Sequence, residues 1–150
     1  GQMNFSAIVP DSIRSGLGFS NFVPRSDGSL VRDFIYSEDV ADLYMRIASG
    51  IISDPERLRG QIFNAGGDSP INMRTLISKI YSQLDNQKAL QIIIDQMNGK
   101  KTTGEISHQH MSFEKVHKVF GWKPKHNIDM GLKKTITWFK YFFKKNNFFK

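Results

Sequence analysis

Val31-Arg32-Asp33-Phe34-Ile35-Tyr36-Ser37-Glu38-Asp39-Val40-Ala41 places an extended segment and a helix start side by side. Phe34, Ile35 and Tyr36 favour extended backbone. Ser37 follows as an N-cap, and Glu38 and Asp39 put negative charge in the first turn, where unpaired N–H groups favour it. Val40, Leu43, Tyr44 and Ile47 then recur at helical spacing and make one apolar stripe. A short extended segment feeding an amphipathic helix points to an α/β chain, mostly helical with a few short strands.

The flanking sequence reads in the same terms. Upstream, Pro10 and Asp11 open a short helix over residues 9–16, with Ile13 and Leu17 along one side and Gly16 and Gly18 stopping it. Asn21-Phe22-Val23 is a strand candidate, and Ser26-Asp27-Gly28-Ser29 is a turn. Downstream, residues 54–60 read as a loop and Gln61-Ile62-Phe63-Asn64-Ala65-Gly66-Gly67 as a short strand running into a glycine turn. Asn72 caps a helix whose core face is Leu76, Ile77, Ile80 and Leu84. Residues 90–94 are the most β-branched run and are predicted to be a strand; residues 96–107 are predicted to be a loop. Ser112 caps a short helix with Phe113, Val116 and Phe120 inward, stopped by Gly121 and Pro124. A last helix from about Asp129 carries Leu132, Ile136, Phe139 and Phe143, and residues 146–150 are expected to fray. No internal repeat and no linker interrupts the 150 residues, which read as one unit or part of one.

Composition narrows the function classes. Apolar residues make up 39% and charged ones 23%, which excludes a disordered chain. No apolar run reaches the ~20 residues of a spanning helix. Gly1-Gln2-Met3-Asn4-Phe5 has neither the basic flank nor the apolar stretch of a secretion signal. With no cysteine there is no disulfide or thiolate metal site, and a soluble, cytoplasmic chain is expected. The net charge of +7 is unevenly spread. Residues 115–150 hold ten Lys and one acid, so the rest of the chain is slightly acidic. Such a basic segment serves nucleic acid or an anionic surface, or is simply the solvated face of a helix.

Several residue patterns carry possible chemistry. His108 and His110 share a face if their segment is extended, with Glu105 and His117 as further ligand candidates, but the spacing is not that of a zinc site and a surface loop is the better reading. Tyr141 and Lys145 have Tyr-x-x-x-Lys spacing in a Lys-rich helix with no nucleotide loop before it, and are read as coincidence. Gly16-x-Gly18 and Gly66-Gly67 do not complete Gly-x-Gly-x-x-Gly, so this sequence has no dinucleotide fingerprint of its own. Arg32 has two readings. It is a diphosphate clamp, because its planar fork stays charged, or it is a structural ion pair with Asp33, Glu38 or Asp39.

Residues 31–41 closely resemble the RDF-[IL]-Y-V-x-D-x-A segment of extended short-chain dehydrogenases that act on nucleotide sugars. Ile62-Phe63-Asn64-Ala65-Gly66-Gly67 resembles that family's FN-x-G strand. Thr75-Leu76-Ile77, Gly104-Glu105-Ile106, Gln109, Met111-Ser112, Lys115, Phe120-Gly121-Trp122-Lys123-Pro124 and Gly131-Leu132 follow in the family's order. Within the family, Asn4-Phe5-Ser6, Ile8-Val9-Pro10-Asp11, Arg25-Ser26-Asp27-Gly28 and Glu105 with Gln109 are most similar to CDP-glucose 4,6-dehydratases.

The resemblance is to the substrate-side, C-terminal half, over residues 1–150. It implies that NAD, the Gly-rich loop and the catalytic Tyr/Lys pair belong to an N-terminal half that this sequence does not contain. The chain alone is therefore expected to be inactive, with no catalytic residue, no bound cofactor and no metal of its own. The resemblance assigns Arg32 to the nucleotide-sugar diphosphate and Asn64 to a segment approaching the nucleotide. Lys101 stands where an Arg is usual, as a point charge rather than a fork. The position of the family's phosphate contact before Ile8 is held by Ala7. Without the other half, the apolar faces around Val40, Leu43 and Ile47 are expected to be exposed, so that the chain forms a dimer or a swapped assembly or binds its missing partner. The rival expectations are an interaction module assembling with an intact homologue, and a basic nucleic-acid or anionic-surface binder through residues 115–150.

Overall fold

Apolar residues in this chain recur mostly at three- and four-residue spacing, and the backbone follows them into helices. A computed structural model describes residues 4–146. In chain order the elements are α1 (Ile8–Gly16), β1 (Val31–Arg32), α2 (Ser37–Ser53), α3 (Pro55–Leu58), β2 (Ile71–Asn72), α4 (Met73–Gln83), α5 (Gln87–Asn98), β3 (His108–Gln109), α6 (Glu114–Phe120) and α7 (Ile128–Lys145). They divide between two units. The first holds the described residues up to Val31, Ile71–His108 and those from Leu132 onward; the second holds Arg32–Pro70 and Gln109–Gly131.

In the first unit, Ile13 of α1 and Leu76, Ile77, Ile80 and Tyr81 of α4 are fully buried, and Leu132, Ile136, Phe139 and Phe143 of α7 are buried as the spacing predicts. A Cβ at Gly16 would strike the Leu84 side chain, so α1 lies close to the end of α4 there. The Asn72 side chain accepts from Thr75 N–H at 2.7 Å and caps α4 as expected. The three strands are two residues each and pair in the order β2-β1-β3. Val31 N–H donates to the Ser107 carbonyl and Met73 N–H to the Leu30 carbonyl.

Two strand expectations in this unit are overturned. Residues 90–94 lie inside helix α5, because Asn86 caps that segment through Ala89 N–H at 3.2 Å and the apolar residues keep helical period. Ile93 and Met97 are buried while Ile92 is exposed, and β-branching is too weak a preference to oppose this. The following loop accordingly begins after Asn98. Asn21-Phe22-Val23 is irregular backbone, anchored by Phe22 N–H on Ser15 Oγ at 3.0 Å.

In the second unit, Leu43, Val116 and Trp122 form the centre, with Ile35, Ile47, Phe63, Phe113 and Phe120 packed against them. Trp122 reaches its place because Gly121 turns the chain in the left-handed region (φ 63°) directly after α6. Its indole N–H donates to the Asp39 carbonyl at 3.0 Å. The buried Asp39 carboxylate accepts His126 N–H at 3.0 Å and lies 3.0 Å from His126 Nδ1. Asp39 thus serves His126 rather than only the helix dipole.

Five readings in this unit are corrected. The N-cap position of α2 is Tyr36, with no side-chain cap, and Ser37 is the first helical residue. Tyr44 is 69% exposed and leaves the apolar stripe, while Leu43 is buried and Val40 and Ile47 are half-buried, so that face is covered within the unit. Residues 54–60 include the one-turn helix α3, capped by Asp54 through Arg57 N–H at 3.1 Å. Residues 61–67 are not a strand. Their backbone groups bond side chains instead: Lys115 Nζ donates to the Ile62 carbonyl at 2.9 Å, and Gly67 N–H donates to Asp33. Ser112 does not occupy the N-cap of α6, which is Phe113 with no side-chain cap, although Ser112 Oγ accepts Glu114 N–H at 3.1 Å. The fraying expected beyond Asn146 falls on residues outside those described, as does the reading of residues 1–3.

Candidate functional site

Arg32 ends β1 and is half-buried; Asp33, the next residue, is extended and half-buried. Asp33 Oδ2 accepts Gly67 N–H at 2.8 Å, which ties the segment carrying Arg32 to the segment carrying Asn64. Asn64 itself is exposed. These residues belong to the second unit, and Lys101 belongs to the first. Lys101 is exposed in the loop after α5, between two residues that hold the loop before β1. Lys100 Nζ donates to the Pro24 carbonyl, and Thr102 Oγ1 donates to Asp27 Oδ1 at 2.7 Å.

The first unit contains a cleft of about 520 Å³, within the range of small-molecule sites. Phe22, Val23 and Met97 supply apolar wall, and Asp11, Asn21 and Arg25 supply polar groups. Ser26, which lines it, opens a turn held by Asp27. The carboxylate accepts Ser29 Oγ–H at 2.7 Å, the Thr102 hydroxyl, and Ser29 N–H at 2.9 Å. These hydrogen bonds, Ser29's side chain first, with a smaller contribution from the Arg74 guanidinium, lower its pKa to about 2. Arg74 also donates to the Asp27 carbonyl from Nε and Nη2, at 3.3 and 3.1 Å. Sequence reasoning did not assign Arg25, Asn21 or Asp11 to a site. The usable signal was the Arg25 guanidinium directly before the Ser26-Asp27-Gly28-Ser29 turn.

The remaining candidates are placed as follows. His108 and His110 are exposed, and among the described residues no three His, Asp or Glu side chains group as a metal site. Tyr141 is 64% exposed on α7. No helix among the described residues is long and apolar enough to cross a membrane.

No family model matches the chain. A UDP-glucuronate 4-epimerase of Thermodesulfobacterium geofontis is 32% identical over 115 residues, covering 76% of this chain and 32% of that protein. The Bordetella bronchiseptica enzyme WbmF, solved in complex with NADH, superposes with a TM-score of 0.72 at 26% identity, over 91% of this chain and 37% of that one. The relatives and structural neighbours are NAD-dependent nucleotide-sugar epimerases and dehydratases, and the chain matches only their C-terminal portion. The dTDP-glucose 4,6-dehydratase of Bacillus anthracis, solved with NAD, shares the fold with a TM-score of 0.71 at 20% identity, over 91% of this chain and 40% of that one. The α/β class, mainly helical and matching the C-terminal part of the extended short-chain dehydrogenase fold, is as the sequence indicated. The chain spans about a third of the length of the curated relatives it matches.

Gly16, Gly66 and Gly67 do not form the open cradle that a dinucleotide takes. Gly66 and Gly67 have no open cradle, since a Cβ on them would strike the Met111 and Phe34 carbonyl oxygens. Gly16 is packed against Leu84. A dinucleotide diphosphate needs glycine backbone open to the ligand, and these glycines face protein.

Proposed function

We propose that this chain is the nucleotide-sugar-binding part of an NAD-dependent nucleotide-sugar 4-epimerase or 4,6-dehydratase. Arg32 holds the diphosphate and Asn64 approaches the nucleotide. The single observation that supports this most is Arg32 itself, a half-buried guanidinium on a segment fixed by the Asp33–Gly67 hydrogen bond. A fork of fixed donors suits a diphosphate better than an ammonium does. NAD and the catalytic groups belong, in this reading, to an N-terminal portion, and the chain by itself binds without turnover. Titration calorimetry with UDP-, dTDP- and CDP-sugars tests it. Arg32→Ala is expected to weaken binding about tenfold or more, and Arg32→Lys by less. Equal affinity in wild type and Arg32→Ala would refute the assignment.

Two observations support the other readings. On α2, Tyr44, Met45, Ile51 and Ile52 are exposed, which favours assembly with a partner, either the N-terminal portion of the family fold or an intact homologue. On α7, Lys133, Lys140, Lys144 and Lys145 are exposed, which favours an anionic surface. Binding of that last kind falls steeply with salt and is indifferent to Arg32→Ala.

A further inference from the structure

We infer that Asp33 is a positioning residue that sets Arg32 and Asn64 in register for the nucleotide sugar; the inference rests on the ligand reading above. The hydrogen bond from Gly67 N–H to Asp33 Oδ2 spans 34 positions of sequence at 2.8 Å. The surrounding space makes this contact selective for one register. A Cβ at Gly66 would strike both the Met111 carbonyl oxygen and Asp33 Oδ2, and a Cβ at Gly67 would strike the Phe34 carbonyl oxygen. Both glycines are buried. The Gly66–Gly67 backbone therefore lies between the Asp33–Phe34 segment and Met111 with no room for side chains, and the carboxylate reads its N–H directly.

The second carboxylate oxygen, Oδ1, is buried with no hydrogen-bond partner among the described residues. A buried carboxylate oxygen left over in this way costs stability. A neutral acceptor would serve stability at least as well, so what this side chain contributes is an acceptor oxygen that fixes the position of two segments. Arg32 is the covalent neighbour of Asp33, and Asn64 lies three residues before Gly67. Displacing either segment moves a ligand contact, and small misplacements of such groups are costly in function.

The full chain and its Arg32→Ala, Asp33→Ala, Asp33→Asn and Arg32→Ala/Asp33→Ala variants are titrated with UDP-, dTDP- and CDP-glucose. Amide exchange at Gly67 is followed alongside. Asp33→Ala is expected to weaken binding about fivefold to tenfold and to deprotect Gly67. Asp33→Asn keeps an acceptor oxygen and should remain within about twofold of wild type. In the Arg32→Ala background Asp33→Ala should cost less than it does alone, keeping only the part that runs through Asn64, a non-additivity that general destabilisation does not produce. Asp33→Ser, too short to reach Gly67, replaces Asp33→Ala if that variant does not fold. Should Asp33→Ala bind like wild type while Arg32→Ala is weakened, the positioning role is overturned and the ligand reading stands. An unchanged effect of Asp33→Ala in the Arg32→Ala background overturns it in the same way. If Arg32→Ala binds as wild type does, or the wild type binds none of the three, the ligand reading falls and the positioning role falls with it.

Discussion

Asp27 is half-buried, and three hydrogen bonds from Ser29 and Thr102 hold its carboxyl near a pKa of 2. A carboxyl whose pKa is lowered on folding binds its proton less well folded than unfolded. Its stabilisation is therefore present above the ordinary carboxylate value and is lost as pH falls through about 2. The turn at residues 26–29 should loosen over that acid window, seen as rising amide exchange at Ser29. Asp27→Asn should remove the pH dependence, and an unchanged exchange profile from pH 5 to ~2 in the wild type would contradict the assignment. The turn at residues 26–29 was legible from residue types alone. The Thr102 contact was not, because it joins positions 75 residues apart. Arg32 was legible as a charged residue beside an apolar run, but the choice between ion pair and ligand contact was open. Asp39, one of the proposed ion-pair partners, is engaged by His126 in the structure.

At the scale of elements, α5 shows what a pattern of residue types conceals. Leu90, Ile92, Ile93 and Ile94 look like a strand, but what decides is the cap before them and the period through Met97. Asn86 has two tasks: its side-chain oxygen accepts Ala89 N–H, and its amide donates to the Gly16 carbonyl at 3.0 Å. Asn86→Ala removes both and leaves two backbone groups unpaired, an expected loss of about 1–3 kcal/mol in chemical denaturation. A loss under ~0.5 kcal/mol would mean that neither bond is retained in solution. Helices α1, α4, α6 and α7 were legible because each has its own cap, stop or apolar stripe. The strands were not. Each is two residues long, too short to show any alternation, and pairing depends on distant backbone such as Ser107 and Leu30. The segment at residues 61–67 was misread as a strand for a related reason, since side chains of Lys115 and Asp33 take up backbone groups that a sheet neighbour would otherwise pair.

For the whole molecule, the face of α2 that stays open differs from the face expected to be open. Leu43 and Ile47 are covered within their unit, whereas Tyr44, Met45, Ile51 and Ile52 stand out, Ile52 at 84% exposure. With the exposed Ala41 and Ala48 between them, they follow one helical stripe. Burying a large apolar side chain is worth about 1.5–3 kcal/mol, so a stripe of four is enough to drive association at moderate concentration. The relatives are between two and three times as long as this chain; in the chain alone, the occupant at hand is a second copy. Light scattering is expected to show a dimer that Met45→Lys/Ile52→Lys converts to a monomer with unchanged helix content, because the new charges would be buried without partners. A wild-type monomer at tens of micromolar would defeat this expectation. A dimer untouched by the two lysines would move the interface off α2. The ligand assay then separates the causes. If the monomeric variant still binds nucleotide sugar through Arg32, association and ligand binding are independent properties. Loss of both together would make the α2 face part of what holds the Arg32 segment in place.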